Sequence, residues 1–115
     1  SVNTITNGAF KQFTSLEEIR LDSAVELGEH ALSNCNSLTT IYLPKATSIG
    51  KCCFSSCQAI KHITLSAEGE ITLGVDAFVY CDTTEITLVL NKNKDSGGNS
   101  VLEWKGYFFS KIEYK

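Results

Sequence analysis

The chain has 115 residues, a formal net charge of −3 and a pI near 5.3, with no basic stripe to track a nucleic-acid backbone. Hydrophobic residues make up 43 % and charged residues 20 %, which is the composition of one folded domain and unlike that of a disordered chain. No apolar run approaches the ~20 residues that span a bilayer, so no membrane span is expected. The chain opens at Ser1 without an initiator Met or a signal segment and close to a repeat boundary, which favours a mature or trimmed form.

Residues 1–21 set a pattern that the rest of the chain repeats. Ile5 is followed by Gly8, Ala9 and Phe10, then by Phe13, Leu16, Ile19 and Leu21. Residues 22–43 restate it 22 positions later, with Leu27, His30, Ala31, Leu32, Cys35, Leu38, Ile41 and Leu43. Pro44, the sole proline, ends this unit at a turn, where its missing N–H costs nothing. Residues 45–65 give Ile49, Cys52, Cys53, Phe54, Cys57, Ile60, Ile63 and Leu65, with 47–50 extended on the side opposite the strand. Residues 66–90 restart after a 24-residue step, with a longer turn at 67–70 and a short alternating strand at 71–73. They place Leu73, Asp76, Ala77, Phe78, Cys81, Ile86 and Leu88 in the same columns, one residue being missing between Cys81 and Ile86. Thr83 or Thr84 then stands where Leu16 stands in the first unit.

Each column has a physical reading. Ile-x-Leu alternates as a half-buried strand does. The Ala/Cys column is small so that neighbouring coils can approach, and the Phe/Leu column is large so that it fills each coil. One unit cannot bury its apolar face alone, but stacked units form a continuous core. The expectation is a solenoid over residues 1–90 with one short parallel strand per coil. Whether the runs opposite the strands are helical or extended stays open, because their apolar spacing fits both.

Residues 91–100 are polar and glycine-rich and read as an exposed loop. Residues 101–115 leave the pattern and concentrate Trp104, Tyr107, Phe108, Phe109, Ile112 and Tyr114. They are expected to cap the last coil, and the alternation of Tyr107 and Phe109 against Phe108 and Ser110 is expected to add a strand beside 84–90; a carbohydrate-stacking surface around Trp104 is the functional alternative. Nothing covers the first coil from its N-terminal side. Glu17, Glu18 and Arg20 charge that edge, as edge strands do to discourage pairing. Either coils precede Ser1 or this face is a self-association surface.

Gly8-Ala9-Phe10, Cys53-Phe54 and Ala77-Phe78, followed by Cys, Ser-Leu and Ile-x-Leu, resemble the leucine-rich repeats of the BspA-like bacterial surface proteins. Ser37-Leu38-Thr39-Thr40-Ile41-Tyr42-Leu43-Pro44 is the nearest single match, and the resemblance runs over roughly residues 5–90. It implies a leucine-rich-repeat solenoid, α/β or mainly β, at the cell surface or outside the cell, in adhesion or host contact.

No catalytic constellation is present: there is no Gly-x-Ser-x-Gly elbow, phosphate loop or His-Glu-x-x-His. Cys57 and His62 are close in sequence, but one is assigned to the core and the other to solvent. Cys52, Cys53, Cys57 and His62 lack zinc-ligand spacing, so neither an enzyme, a metal nor a cofactor is expected. Cys35, Cys57 and Cys81 repeat one per coil and read as small buried residues. Coil spacing of ~4.8 Å would nonetheless let adjacent ones oxidise. Cys52 and His30 are expected at the surface.

What remains is a surface. The outward residues of the strands form two columns, Glu18, Thr40, His62, Glu85 and Arg20, Tyr42, Thr64, Thr87. Tyr42 and His62 would centre a recognition patch, since aromatic side chains are favoured at contact hot spots. Four strands give a face on the order of 300 Å², against ~800 Å² per partner in a standard interface. The patch alone is therefore too small for tight binding of a protein ligand; it suits a short peptide or a glycan, or is one part of a longer array. The expected role is a non-catalytic binding module, the alternative being a spacer joined end to end through its N-terminal coil.

Overall fold

A computed structural model describes residues 4–66, 71–91 and 103–114. The turn expected at 67–70 and the polar loop beyond Asn91 lie outside the described residues. In chain order the strands are β1 (Thr4–Ile5), β2 (Glu18–Arg20), β3 (Glu26–Leu27), β4 (Thr40–Leu43), β5 (Ser48–Ile49), β6 (His62–Ser66) and β7 (Thr72–Leu73). A 3₁₀ turn, Thr83–Glu85, leads into β8 (Thr87–Asn91), followed by β9 (Glu103–Trp104), β10 (Tyr107–Phe108) and β11 (Lys111–Tyr114).

The strands stack as a solenoid with two parallel sheets. A broad sheet has the order β11-β8-β6-β4-β2 and a narrow one β1-β3-β5-β7. In the broad sheet Ile19, Ile41, Ile63, Leu88 and Ile112 stand in one file. In the narrow sheet Ile5, Leu27, Ile49 and Leu73 do the same. The core lies between, with Leu32, Leu38, Leu43, Phe54, Leu65 and Phe78 almost wholly buried. Phe54 and Phe78 stack with ring centroids 5.2 Å apart, close to the rung spacing of a sheet.

The runs after the narrow strands are neither helix nor strand. Gly8, Phe10 and Gln12 donate N–H bonds of 2.8–2.9 Å forward to the Glu29, Ala31 and Ser33 carbonyls of the next coil. Ala9, Lys11 and Phe13 instead donate back three residues, at 3.1–3.2 Å. The alternation repeats in the second and third coils. It requires two left-handed residues per coil: Gly8, His30, Cys52 and Asp76 have φ of 54–66°, and Gln12, Asn34, Ser56 and Tyr80 have φ of 59–63°. A left-handed residue breaks a helix, and in the first three coils each of these residues donates its N–H to the next coil, which holds it in place.

Two sequence expectations are corrected. Ile86 and Leu88 do not pair with Ile63 and Leu65; Leu88 faces Ile63 and Leu90 faces Leu65. The 3₁₀ turn causes this shift. Asp82 accepts from the Thr84 N–H at 3.1 Å and Thr83 Oγ1 donates to the Phe108 carbonyl at 2.6 Å, which holds the chain back for two residues. A shift of two keeps the inward side of a strand inward, so Ile86, Leu88 and Leu90 are all buried. The added strand is also not the stretch 107–110. β10 pairs antiparallel with β9, and β11 is the strand that joins β8, in parallel.

The two ends differ. At the C-terminal end Phe78 meets Tyr107 edge-on at 5.1 Å and Phe109 at 5.8 Å, and Phe109 is buried. Trp104 leans on Phe109 at 6.3 Å and carries the Lys105 ammonium 5.8 Å above its ring, so it is half-buried rather than an open platform. At the N-terminal end Ala9 is exposed where Ala31, Cys53 and Ala77 are buried, and Phe13 is 48 % exposed where Cys35 is fully buried.

Candidate functional site

The outward face of the broad sheet is built by strand alternation. Its first file is Glu18, Thr40, His62, Thr87, Lys111, and its second is Arg20, Tyr42, Thr64, Val89, Glu113. Of the eight residues read from the sequence, Glu18, Thr40, His62, Arg20, Tyr42 and Thr64 occupy their expected files. Thr87 is on the face but in the first file, beside His62, and not in the second. Glu85 is not on it: it ends the 3₁₀ turn, two residues before β8 begins at Thr87. Val89, Lys111 and Glu113 were missed. The five-residue alternation of Ile86, Leu88 and Leu90 is the signal that would have placed Val89. Lys111 and Glu113 alternate with Ile112 but lie outside the repeat.

The face has charged rims and a neutral middle. At one rim the Arg20 guanidinium sits 4.4 Å from the centre of the Tyr42 ring, and its Nε is 3.7 Å from a Glu18 carboxylate oxygen. Both charged groups are about half-exposed, so the ion pair itself contributes little. The cation over the ring fixes the ring's orientation. At the other rim Lys111 Nζ lies 2.9 Å from Glu113. Between them stand Thr40, Tyr42, Thr64 and Thr87, half-buried, with His62 exposed beside them. The middle thus offers hydroxyl groups able to donate and accept, one imidazole and one ring held flat by a guanidinium. Five strands at ~4.8 Å spacing make a face on the order of 300–400 Å². Two shallow open depressions lie elsewhere, along the narrow sheet at Thr4, Glu26 and Ser48 and beside the hairpin at Gly74, Asp76 and Lys105.

The cysteines serve the scaffold. All five are free. Cys35, Cys57 and Cys81 Sγ donate to the carbonyls of Phe10, Leu32 and Phe54, one coil back, at 3.1, 2.8 and 2.8 Å. Burial pushes the Cys53 and Cys57 thiols up to about 12 and raises those of Cys35 and Cys81. Such thiols are poor nucleophiles, because the thiolate is the reactive form. Cys52 is half-buried in its left-handed turn. His30, expected at the surface, is also half-buried, with its Nδ1 enclosed and unpaired among the described residues. Both sit at left-handed positions whose backbone N–H is bonded to the next coil, at 3.0 Å for His30 and 3.1 Å for Cys52. Among the described residues no three His, Cys, Asp or Glu side chains gather as metal ligands would. No helix among them is long and apolar enough to cross a membrane.

A family model described as the BspA type leucine rich repeat region matches residues 1–103, in 6 copies. No curated protein and no solved structure matches the chain.

Proposed function

Because the chain belongs to the family of BspA-type leucine-rich repeats, a repeat-based recognition scaffold, we propose that it is a non-catalytic binding module whose contact surface is the outward face of the broad sheet. The observation that carries this reading is Tyr42, held under Arg20 at 4.4 Å and flanked on the face by the hydroxyl-bearing Thr40 and Thr64. A pre-oriented ring loses little freedom on contact, and that is the economy binding sites exploit. The neutral middle favours an uncharged, hydroxyl-rich or amide-rich ligand, a glycan or a short extended peptide, with the ring stacking on its flat face. The charged rims set its direction across the strands.

The setting proposed is the cell surface or the extracellular space, in adhesion, as is typical of this family. A face of this size binds one such ligand weakly, so avidity from several modules is the expected mode of use.

A glycan and peptide array tests the reading, with Tyr42→Ala and His62→Ala as paired controls. Hits lost in Tyr42→Ala and weakened in His62→Ala support the face. Hits that survive both substitutions move the site elsewhere on the solenoid.

A further inference from the structure

The two edge strands of the broad sheet carry complementary charges in one register. Along the sheet Glu18, Thr40, His62, Thr87 and Lys111 follow one another rung by rung. One more rung in the same direction, supplied by a second copy, sets Lys111 opposite that copy's Glu18. The next two files set Ile112 opposite Ile19 and Glu113 opposite Arg20. Both charge pairs are attractive, and the apolar file continues unbroken between them. A shift of one residue would turn Ile19 out and set it against a charge.

The backbones fit the same register. In a parallel ladder alternate residues turn their N–H and C=O to opposite neighbours. Leu21 N–H donates to the Tyr42 carbonyl at 3.0 Å, so Ile19 and Leu21 serve β4 while Glu18 and Arg20 turn outward. Thr87 N–H donates to the Lys61 carbonyl at 2.8 Å, so Leu88 serves β11 and, across from it, Ile112 turns outward. Ile112 N–H can therefore meet the Glu18 carbonyl, and Arg20 N–H the Ile112 carbonyl. At each end one large ring is also exposed near the corner that precedes the broad strand. Phe13 stands there in the first coil, 48 % exposed. Phe108, 61 % exposed, is tied to that corner of the last coils by the Thr83 hydroxyl.

We infer that the β11 edge of one molecule docks on the β2 edge of a second copy, in parallel and head to tail, so that copies join into a longer sheet. The contact is confined to the broad-sheet side. On the turn side Gly28, Gly50 and Gly74 let each coil lie against its predecessor, and Thr6 holds that place in the first coil. The hairpin of β9 and β10 covers Phe78 at the other end. A contact limited to strand edges is weak, so association rises with concentration and falls with salt.

Sedimentation velocity and light scattering from micromolar to millimolar protein test this, without any ligand. One variant exchanges the first edge, Glu18→Lys with Arg20→Glu; a second exchanges the other, Lys111→Glu with Glu113→Lys. All four side chains lie on the outward face of edge strands, and circular dichroism verifies that the fold is kept. Each variant alone should self-associate about tenfold more weakly or worse, while an equimolar mixture of the two, or both exchanges in one chain, regains the wild-type affinity. A wild-type protein that stays monomeric at millimolar concentration overturns the inference. So does association that neither exchange weakens, or a mixture that fails to recover.

Discussion

Replacing Gly50 by alanine should destabilise the solenoid even though its backbone accepts an alanine. Gly50 is not in the left-handed region, where Gly8 and Gly106 are the glycines found among the described residues. On backbone grounds alone, Gly50→Ala should stabilise by about 0.4–1 kcal/mol, through the lower entropy of the unfolded chain. Packing reverses the sign. The new methyl would stand 2.5 Å from the Gly28 carbonyl carbon, 2.6 Å from its oxygen and 2.7 Å from Glu29 N, all backbone atoms. Carbon contacts settle near ~3.5 Å, so the second and third coils must part locally by about 1 Å. The bonds across that seam on either side of Gly50 include Thr47 N–H to Val25 O at 2.9 Å, His30 N–H to Lys51 O at 3.0 Å and Leu32 N–H to Cys53 O at 2.9 Å. Stretched by that much they cease to be hydrogen bonds, at about 1 kcal/mol each. The net cost is about 2 kcal/mol, or a fall in Tm of roughly 10 °C for a domain of this size. Thermal unfolding followed by far-UV circular dichroism measures it. Gly106→Ala is the comparison, since nothing lies within 4 Å of its added methyl and its cost is conformational, φ being +90°. A Gly50→Ala protein that melts at or above the wild-type temperature would refute the argument that close coil approach demands this glycine.

Two further outcomes follow from the buried side chains. The Cys53 thiol is held neutral up to about 12 by burial, against 9.0 for the unperturbed group. Above pH 9 the unfolded chain loses this proton and the folded one keeps it, so stability is full below pH 9 and falls as pH rises toward 12. Cys53→Ala installs the residue of the equivalent positions Ala31 and Ala77; in denaturant titrations across that window it should remove a slope of up to about 1.4 kcal/mol per pH unit, and an unchanged slope would count against a buried Cys53. The Ser33 and Ser55 hydroxyls share a buried hydrogen bond of 2.6 Å between adjacent coils. Ser33→Ala should cost about 1–3 kcal/mol by orphaning the Ser55 hydroxyl, Ser55→Ala less, since Ser33 Oγ still accepts from Asn34 Nδ2 at 3.4 Å, and the double change less than the sum; strict additivity in a double-mutant cycle would show that the bond contributes nothing.

Much of the fold was legible because a solenoid repeats its contacts at a constant sequence interval. Ile41 above Ile63, Phe54 above Phe78 and the Cys35, Cys57, Cys81 file all follow from like residues recurring in like places, and the outward residues between them follow from period-two alternation. Where the interval changed, that reasoning failed. Between Cys81 and Ile86 the chain makes a 3₁₀ turn closed by Asp82 and by Thr83 on the Phe108 carbonyl. This moved the strand by two residues, took Glu85 off the face and brought Val89 onto it. The Asp82 cap is local, but the Thr83 bond that fixes the turn reaches a carbonyl 25 positions away in the chain, which no local pattern contained.

What the sequence by itself determined is the periodic part: which side chains point inward, which stack, and that the strands run parallel, since each is fixed by spacing along one chain. What only the tertiary structure decided is everything that depends on one coil touching another. Residues such as Gln12, Cys52 and Ser56 take left-handed conformations their own preferences disfavour, because bonds to the neighbouring coil hold them there. The non-repeating C-terminal stretch becomes a fifth rung, with Lys111 and Glu113 set in the register of Glu18 and Arg20, because β8 presents an edge that β11 can extend. Spacing specifies a repeat, whereas an end is specified only by what packs against it.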